Sequence, residues 1–270
     1  MDISVIIPTY NRASFITNTI NSVLNQTYQP KEIIVVDDGS SDDTQEILSK
    51  LTKTNPIIKY IKQSNQGVSG ARNLGIKNSS YEWIAFLDSD DIWCETKLET
   101  QTQLHKQNKN ILFSHTNELW LFNGKVIKQK KHQQKYSGYC FEQNLENTLI
   151  GASTVMIHRS IFEDVGYFDE SLKVCEDYDM WLRILEKYEV QLCEQNLIKK
   201  IAGHKGQLSF ETPMIDSYRV EVLLKHIENP KYKDIVRKHL KRKIDIILKG
   251  AYKYDNKPLI EKYEKLLTDN

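Results

Sequence analysis

The sequence has few of the features that mark a secreted, zinc-binding or membrane-spanning protein. Only four of its 270 residues are cysteine, and no two of them form a Cys-x-x-Cys pair. This pattern favours free thiols in a reducing compartment over a disulfide framework or a zinc site. No apolar run is long enough to cross a bilayer, and the N-terminus lacks the basic flank and apolar core of a signal peptide. These absences predict a cytoplasmic protein.

An excess of one charge is also missing. The 37 Lys and Arg residues nearly balance the 36 Asp and Glu residues, which leaves a formal net charge of +1. This balance argues against a chain that is basic throughout, so we expect no nucleic-acid partner. A length of 270 residues with 40% hydrophobic content fits one sizeable domain, or one domain with an appendage.

Strand-like and helix-like segments alternate through the first ninety residues. Short apolar runs predict strands, and apolar residues spaced three or four apart predict helices. The strand candidates are 3–7, 32–36, 57–61 and 83–87, and the helix candidates are 14–25, 44–51 and 68–76. This alternation predicts an α/β fold with a mostly parallel, Rossmann-like sheet flanked by helices. Ligands of such sheets bind beyond the carboxyl ends of the strands.

The most informative polar cluster follows the strand candidate 83–87. Asp88, Asp90 and Asp91 place three carboxylates within four positions. Like charges about 4 Å apart repel by roughly 4 kcal/mol at an effective dielectric constant near 20. A hard divalent ion, Mg²⁺ or Mn²⁺, shared with the phosphates of a substrate would offset that repulsion. The alternative is a helix start, in which these residues cap a helix opened by Asp91, Ile92 and Trp93.

Polar residues also follow the first two strand candidates. Proline cannot continue a strand ladder, so Pro8 turns the chain outward and leaves Thr9 and Tyr10 at the sheet edge. Asp37 and Asp38 follow the second strand, where a carboxylate can accept from the N–H of a base or from ribose hydroxyls. The alternative for this pair is a simple Asx turn followed by a serine cap.

Arg72 lies early in the helix candidate 68–76, between small residues that allow a close approach to the sheet or a ligand. From this position its guanidinium can reach a phosphate or brace an acidic pocket. The alternative is an ordinary surface arginine.

Four motifs occur along the chain in a fixed order. They are Pro-Thr-Tyr-Asn-Arg at 8–12, Val-Val-Asp-Asp-Gly-Ser at 35–40, Gly-Val-Ser-Gly-Ala-Arg-Asn-Leu-Gly at 67–75 and Phe-Leu-Asp-Ser-Asp-Asp at 86–91. Together they resemble the family 2 glycosyltransferases, which have the GT-A fold, and the resemblance extends over about residues 3–208. It implies transfer of a sugar from a nucleotide-sugar donor, usually with inversion at the anomeric carbon.

The resemblance also implies roles for individual residues. It implies that Asp90 ligates a Mn²⁺ or Mg²⁺ ion that bridges the diphosphate, with Asp88 by the ribose or an outer-shell water of the ion. His204 belongs to a Gly-His-X-X-Gln-Leu-Ser segment and completes the metal's ligands or contacts a phosphate; the alternative is a solvated loop histidine. The residues implied to bind the nucleotide sugar are Pro8, Thr9, Tyr10, Asp38, Arg72, Asp88 and Ser89.

Glu176 and Asp177 match the family's Glu-Asp pair ahead of an aromatic-rich helix. The resemblance implies that one of them is the general base, and we favour Asp177. Separately, single displacement at an anomeric carbon needs a carboxylate opposite the leaving group to take the acceptor's proton. The alternative is that the pair only caps the helix. Trp181, within that helix, is expected in the core rather than as a sugar platform.

The remaining segments are less regular. We expect strands at 111–116, 118–122 and 152–157, a short helix at 158–165, and a helix at 177–188. The lysines between residues 125 and 135 are expected in a solvated hairpin. Three helical stripes follow residue 210, so we divide the chain into a transferase domain, 1–210, and a helical region, 211–270. Residues 225–257 contain eleven Lys or Arg and four Asp or Glu. These basic residues are expected either to form a solvent-exposed helix face or to contact anionic lipid.

The favoured function is thus a metal-dependent glycosyltransferase that uses a nucleotide-sugar donor, with a UDP-sugar favoured, and a glycan or lipid-linked acceptor. A catalytically silent nucleotide-sugar-binding scaffold subunit of a polysaccharide assembly complex is the alternative, although the Glu176–Asp177 pair would then have no purpose. A nucleotidyltransferase is a third option, but Pro8-Thr9-Tyr10 is not the Gly-rich phosphate loop that it needs. The sequence does not indicate which sugar is transferred.

Overall fold

The computed structural model describes residues 1–204, 206–207 and 212–269, and a mixed nine-stranded sheet organises them. The sheet order is β3-β2-β1-β4-β8-β6-β9-β5, and β7 pairs with β6 outside this path. The strands are β1 (Ile3–Thr9), β2 (Glu32–Asp37), β3 (Ile58–Lys62), β4 (Trp83–Phe86), β5 (Asp91–Trp93), β6 (Phe113–Phe122), β7 (Lys125–Ile127), β8 (Met156–His158) and β9 (Gln191–Ala202).

The first four strands are parallel, as the alternation of strands and helices predicts. The other half is mixed, since β8 runs antiparallel to β4 and β6, and β9 is parallel to β6. β1 continues through Pro8 to Thr9, two residues beyond its predicted end. The register of β4 against β1 stops at Ile6, so on that side the ladder needs no N–H from Pro8.

Helices cover both faces of the sheet and bury its apolar residues in two main clusters. Along β1, Ile6 belongs to one cluster, while Val5 and Ile7 belong to the other. The helices are α1 (Ile16–Leu24), α2 (Thr44–Thr54), α3 (Gly67–Asn78), α4 (Lys97–Gln107), α5 (Phe141–Asn144), α6 (Ser160–Val165), α7 (Glu176–Leu185), α8 (Ile215–His226), α9 (Lys233–Lys253) and α10 (Lys257–Asp269).

Two expectations for the middle of the chain are wrong, and so is the helix alternative for the acidic run. The two strands predicted at 111–116 and 118–122 form the single strand β6, whose register against β9 shifts between Thr116 and Glu118. Residues 152–157 form a 3₁₀ turn and then β8. Asp91, Ile92 and Trp93 form β5, so they do not open a helix. Long-range pairing with β9 decides this, because three residues carry no periodicity of their own.

The longest strand after the first ninety residues, β9, is not predicted at all. Its sequence, Gln-Leu-Cys-Glu-Gln-Asn-Leu-Ile-Lys-Lys-Ile-Ala, is polar at many positions and does not alternate cleanly. The strand forms because β5 and β6 flank it and pair with its backbone. Local sequence contains no signal for such pairing.

The last three helices confirm the helical stripes expected after residue 210. They join the larger apolar cluster through Val220, Val236 and Tyr263. Within it, α8 packs against α7, and α9 packs against α8 and α10. Among the helices of the described ranges, none is both long and apolar enough to cross a membrane. The boundary between residues 210 and 211 lies outside the described residues, so the two-region division stays a prediction.

Candidate active site

The carboxyl ends of β1 and β2 lie side by side, because Thr9 pairs with Asp37 in the register. The Thr9 carbonyl accepts a hydrogen bond from the Asp38 N–H at 2.8 Å. The Thr9 hydroxyl is buried and has no hydrogen-bond partner among the residues that the structure describes. Burying an unsatisfied hydroxyl costs free energy, which a polar group of a ligand can recover. Pro8 is buried next to it, and Tyr10 is exposed just beyond the strand.

The two carboxylates that follow β2 have different partners. Asp37 Oδ1 accepts from the Ser40 N–H at 2.8 Å, three residues on, and its Oδ2 accepts from the Tyr60 hydroxyl at 2.9 Å, so Asp37 is used within the protein. Asp38 faces the start of α3, where its oxygens accept from the backbone N–H groups of Gln66 and Gly67, each at 2.8 Å. The Gln63 amide donates to Asp38 at 2.7 Å. Asp38 therefore holds the N-terminus of α3 against the end of β2.

Arg72 connects the strand ends to α7. Its guanidinium is buried and donates from Nη2 to Asp88 Oδ1 at 2.8 Å and from Nη1 to Glu176 Oε1 at 2.6 Å. The guanidinium carbon also lies 5.2 Å from the centre of the Phe168 ring. The surface alternative for Arg72 is thus wrong, and its side chain braces two carboxylates that are distant in the chain.

Ser153, in the 3₁₀ turn before β8, fixes the acidic run. Its Oγ accepts from the Asp88 N–H at 3.0 Å and donates to Asp91 Oδ2 at 2.6 Å. Asp91 is buried, and this burial raises the pKa of its carboxyl well above the usual value. Ser89 is buried next to α1, where its carbonyl accepts from the Thr19 hydroxyl at 2.9 Å. Of the three carboxylates, Asp91 therefore points into the protein rather than toward a ligand.

Asp90 lies between two basic side chains. Its Oδ2 is 3.0 Å from His204 Nε2 and 3.4 Å from Arg12 Nε. Arg12 also donates from Nη2 to the Gly206 carbonyl at 2.6 Å, which ties the segment after β9 to the end of β1. Burial and the neighbouring charge of Asp88 raise the pKa of Asp90. The structure thus brings His204 to the acidic run, as the resemblance implies.

The separation of Asp90 and His204 fits two adjacent ligands of one ion. In an octahedral site with bonds of about 2.1 Å, neighbouring ligand atoms lie about 3.0 Å apart. Within the described residues, no three His, Cys, Asp or Glu side chains form a group that could hold a metal ion. A hard ion at this place would therefore complete its coordination with water and with oxygens of a substrate.

Glu176 and Asp177 open α7 behind a residue with an unusual backbone. Cys175 has φ of 63°, a left-handed conformation that costs free energy for a residue with a side chain. Asp177 is half-buried, and its Oδ1 accepts from the Tyr178 N–H at 2.7 Å. Burial and the adjacent Glu176 raise the pKa of Asp177 to about 7, against the opposing effect of Arg72. Asp177 is thus a carboxylate suited to exchange a proton near neutral pH.

Lys200 on β9 is a charged site residue that sequence reasoning missed. Its ammonium lies 5.2 Å from the centre of the Trp120 ring. Burial opposes the charge on Lys200, but the carboxylates of Asp91 and Glu118 raise its pKa overall. Lys200 in turn favours the charged form of Asp177. No sequence signal pointed to it, because β9 was not predicted.

Two further expectations concern side chains near the site. Trp181 is buried in the apolar core, stacked on Phe113 with ring centres 5.5 Å apart, which confirms that it is not a sugar platform. Lys135 differs from the solvated lysines expected beside it, because it is buried and pairs with Glu118 at 3.1 Å.

Comparisons with known proteins agree with the motifs. A protein-family model described as "Glycosyl transferase family 2" matches residues 4–166. "Uncharacterized glycosyltransferase RC0461" of Rickettsia conorii is 39% identical over 213 residues, which are 78% of this chain and 34% of that protein. The chain thus spans about a third of the length of that relative.

A second relative has a more detailed name. The "UDP-Glc:alpha-D-GlcNAc-diphosphoundecaprenol beta-1,3-glucosyltransferase WfgD" of Escherichia coli is 37% identical over 185 residues, which are 68% of this chain and 70% of that protein. Among solved structures, S. aureus TarS 1-349 in complex with UDP-GlcNAc superposes with a TM-score of 0.76 at 21% identity, covering 97% of this chain and 79% of that chain. At that identity the likeness concerns the fold alone, and it confirms the expected GT-A arrangement. Since the family model matches more than half of the sequence, the chain belongs to glycosyl transferase family 2.

Proposed function

We propose that this chain transfers a sugar, with inversion, from a nucleotide-sugar donor to a glycan or lipid-linked acceptor in surface polysaccharide synthesis. The observation that carries the proposal is the position of Asp177. A half-buried carboxylate with a pKa raised to about 7 opens α7, and its neighbour Glu176 is joined through Arg72 to Asp88 at the end of β4. The name of the E. coli relative, which specifies UDP-Glc and a diphosphoundecaprenol acceptor, supports a UDP-sugar and a lipid-linked acceptor.

The nucleotide end of the donor is assigned to the ends of β1 and β2. The Thr9 hydroxyl, which has no partner among the described residues, is available to a ligand, and Tyr10 is exposed beside it. Asp38 accepts three hydrogen bonds from described residues, and a carboxylate offers about four acceptor positions, which leaves capacity for one more. A base N–H or a ribose hydroxyl can occupy that position.

The acceptor end is assigned to Asp177. As the acceptor oxygen forms its bond to the anomeric carbon, Asp177 takes the hydroxyl proton, and the bond from that carbon to the diphosphate oxygen breaks with its electron pair on the diphosphate. A base acts best when its pKa lies near the working pH. Glu176 is held by Arg72, so it positions the start of α7 and leaves Asp177 as the proton acceptor.

Asp90 and His204 are assigned to a Mn²⁺ or Mg²⁺ ion, with Asp88 nearby. When bound, such an ion supplies Lewis-acid stabilisation of the departing diphosphate. Arg12 and Arg72 add fixed positive charge at the same edge of the sheet, where they favour an anionic donor. We place the protein on the cytoplasmic side of the membrane, where a lipid-linked acceptor would be reached.

The test is donor hydrolysis and sugar transfer by Asp177→Asn, measured over a panel of nucleotide sugars with UDP-sugars included. We expect UDP affinity to persist while turnover falls by on the order of 10² to 10⁴, because the proton acceptor is lost. Asp234→Asn is the matched control, since Asp234 is an exposed carboxylate in the first turn of α9.

Turnover near the wild-type value in Asp177→Asn would remove Asp177 from the role. A wild-type chain that binds UDP but hydrolyses none of the donors would favour the scaffold alternative. Calorimetric titration of UDP, with and without Mn²⁺, tests the metal assignment. We expect Asp90→Ala to lose the Mn²⁺-dependent part of the UDP affinity. Unchanged affinity in that variant would contradict the metal assignment.

A further inference from the structure

The hairpin formed by β6 and β7 exposes apolar side chains on both of its faces. Phe122 is 41% exposed, Val126 is 64% exposed and Ile127 is 43% exposed. The register pairs Trp120 with Ile127 and Leu121 with Val126, so Val126 and Ile127 point to opposite faces. An antiparallel hairpin with a wet face normally has polar residues on that face. Each face of this tip therefore exposes an apolar side chain, which suits an apolar environment around it.

Lysines surround the apolar tip without acidic partners. Lys125, Lys128, Lys130 and Lys131 are all exposed, and residues 119–141 contain no Asp or Glu. None of the four lysines makes an ion pair with any residue in the described ranges. Each lysine held near an anionic lipid surface strengthens binding about fivefold. Apolar side chains flanked by unpaired lysines are the combination that an anionic bilayer interface attracts.

The tip is joined directly to the candidate active site. Along β6, Trp120 Nε1 donates to Glu118 at 2.9 Å, and the Lys200 ammonium lies over the Trp120 ring. Gly203, which precedes His204, packs so closely on Phe122 that an added Cβ would overlap the ring. A surface bound at the tip would therefore lie next to the segment that carries His204.

We propose that residues 122–131, the hairpin tip, dock this chain on an anionic lipid bilayer. The apolar side chains enter the headgroup region and the lysines contact the anionic headgroups. A second copy of the chain would bind the hairpin tip less well, since a symmetric contact would place four lysines opposite four lysines. In addition, β7 has only three residues that could pair with another strand. The link to a lipid-linked acceptor rests on the proposed function, but the docking itself does not.

The experiment is co-sedimentation of the full chain with vesicles, in the absence of donor and acceptor. One vesicle preparation contains phosphatidylglycerol and phosphatidylcholine in equal parts, and the other contains phosphatidylcholine alone. We expect binding to the anionic vesicles only. Lys125→Gln with Lys128→Gln should weaken binding about 25-fold, at about fivefold for each lysine. Val126→Ser with Ile127→Ser should weaken it roughly tenfold, because apolar burial is lost.

Lys249→Gln with Lys253→Gln is the matched control, because it removes two exposed lysines from the basic helix α9. We expect this variant to bind like the wild type. Loss of binding in the α9 variant, with the hairpin variants unaffected, would overturn the proposal and assign the contact to the C-terminal helices. A wild-type chain that binds neither vesicle would overturn it as well.

Two further readouts separate the remaining outcomes. Sedimentation velocity without vesicles tests the second copy: a dimer that the Val126→Ser, Ile127→Ser variant abolishes would overturn the bilayer assignment. Donor hydrolysis by all variants reports folding and the proposed function independently of docking. Vesicle binding without hydrolysis would contradict the proposed function and leave the hairpin tip as a membrane contact. Hydrolysis without vesicle binding would contradict the docking and leave the proposed function standing.

Discussion

At the level of single residues, Asp177 shows how opposing charges adjust one carboxylate. Burial disfavours its ionised form, and the adjacent Glu176 adds like-charge repulsion. Arg72 and Lys200 act in the opposite direction, because each favours the carboxylate. The outcome is a pKa of about 7, near the value at which a proton acceptor is most effective.

The rate of transfer should follow the ionisation of Asp177. A base must be deprotonated to act, so kcat/KM should rise with pH up to about 7 and then level off. Lys200→Met removes a cation that favours the charged form of Asp177, so the pKa of Asp177 should increase. The rising part of the kcat/KM profile should then move to higher pH. At neutral pH the variant is then slower, because less of Asp177 is ionised.

Lys199→Met is the control for that prediction, since Lys199 is the exposed neighbour on the same strand and its side chain points to the other face. Its pH profile should match the wild type. If kcat/KM rises over the same pH range in the Lys199 and Lys200 variants, Lys200 does not act on Asp177.

At the level of elements, α3 brings two parts of the candidate site together. Its N-terminus meets Asp38, and Arg72 projects from it toward Asp88. The helix can lie this close to β1 because Gly75 faces Ile6, where an added Cβ would overlap the Ile6 Cγ2 atom. The small residues in the motif at 67–75 predict a close approach, and Gly75 is a position where the structure places one.

Gly75→Ala should therefore destabilise the protein. Forcing a methyl group into a filled site typically costs about 1 to 3 kcal/mol, although alanine recovers up to about 1 kcal/mol through its helix propensity. The shift of α3 should also displace Arg72 and lower transfer activity. The midpoint of urea unfolding measures the first effect.

Gly250→Ala is the matched control within α9, because an added Cβ there would meet no described atom within 4 Å outside the helix's own backbone and the neighbouring residues. There the alanine should stabilise the protein by about 0.5 to 1 kcal/mol. A Gly75→Ala variant as stable as Gly250→Ala would contradict the close packing of α3 on β1.

At the level of the whole molecule, the C-terminal helices share the core of the sheet domain. Tyr232 stacks on Phe141 with ring centres 4.1 Å apart, and His226 Nδ1 lies 2.8 Å from Glu186 Oε1. One of the basic residues of these helices is buried and forms ion pairs within the protein. Lys243 is buried and pairs with Asp216 and Glu146, each at 3.2 Å.

This shared core predicts that the chain unfolds in one cooperative step. Thermal unfolding followed by circular dichroism should coincide with the loss of UDP binding, because α8 to α10 and α7 bury each other's apolar residues. Tyr232→Ala should lower both midpoints together. Two separated transitions, with UDP binding lost only in one of them, would instead show that the helical region is an independent unit.

The alternation of strands and helices through residue 86, and the polar residues at the strand ends, could be predicted from the sequence. Fully buried parallel strands are short apolar runs, and amphipathic helices have a 3.6-residue period, so both can be recognised locally. The family motifs then identified Asp90 and Asp177 as candidate site residues. These are properties of neighbouring positions in the chain.

Which distant residues meet could not be predicted in this way and became visible in the folded chain. β9 forms through pairing with β5 and β6, and Lys200 reaches the acidic cluster through that strand. Arg72 joins Asp88 to Glu176, which lie far apart in the sequence. Strand pairing and charge neutralisation depend on partners that the local sequence does not specify, because their free energy arises only when the chain is folded.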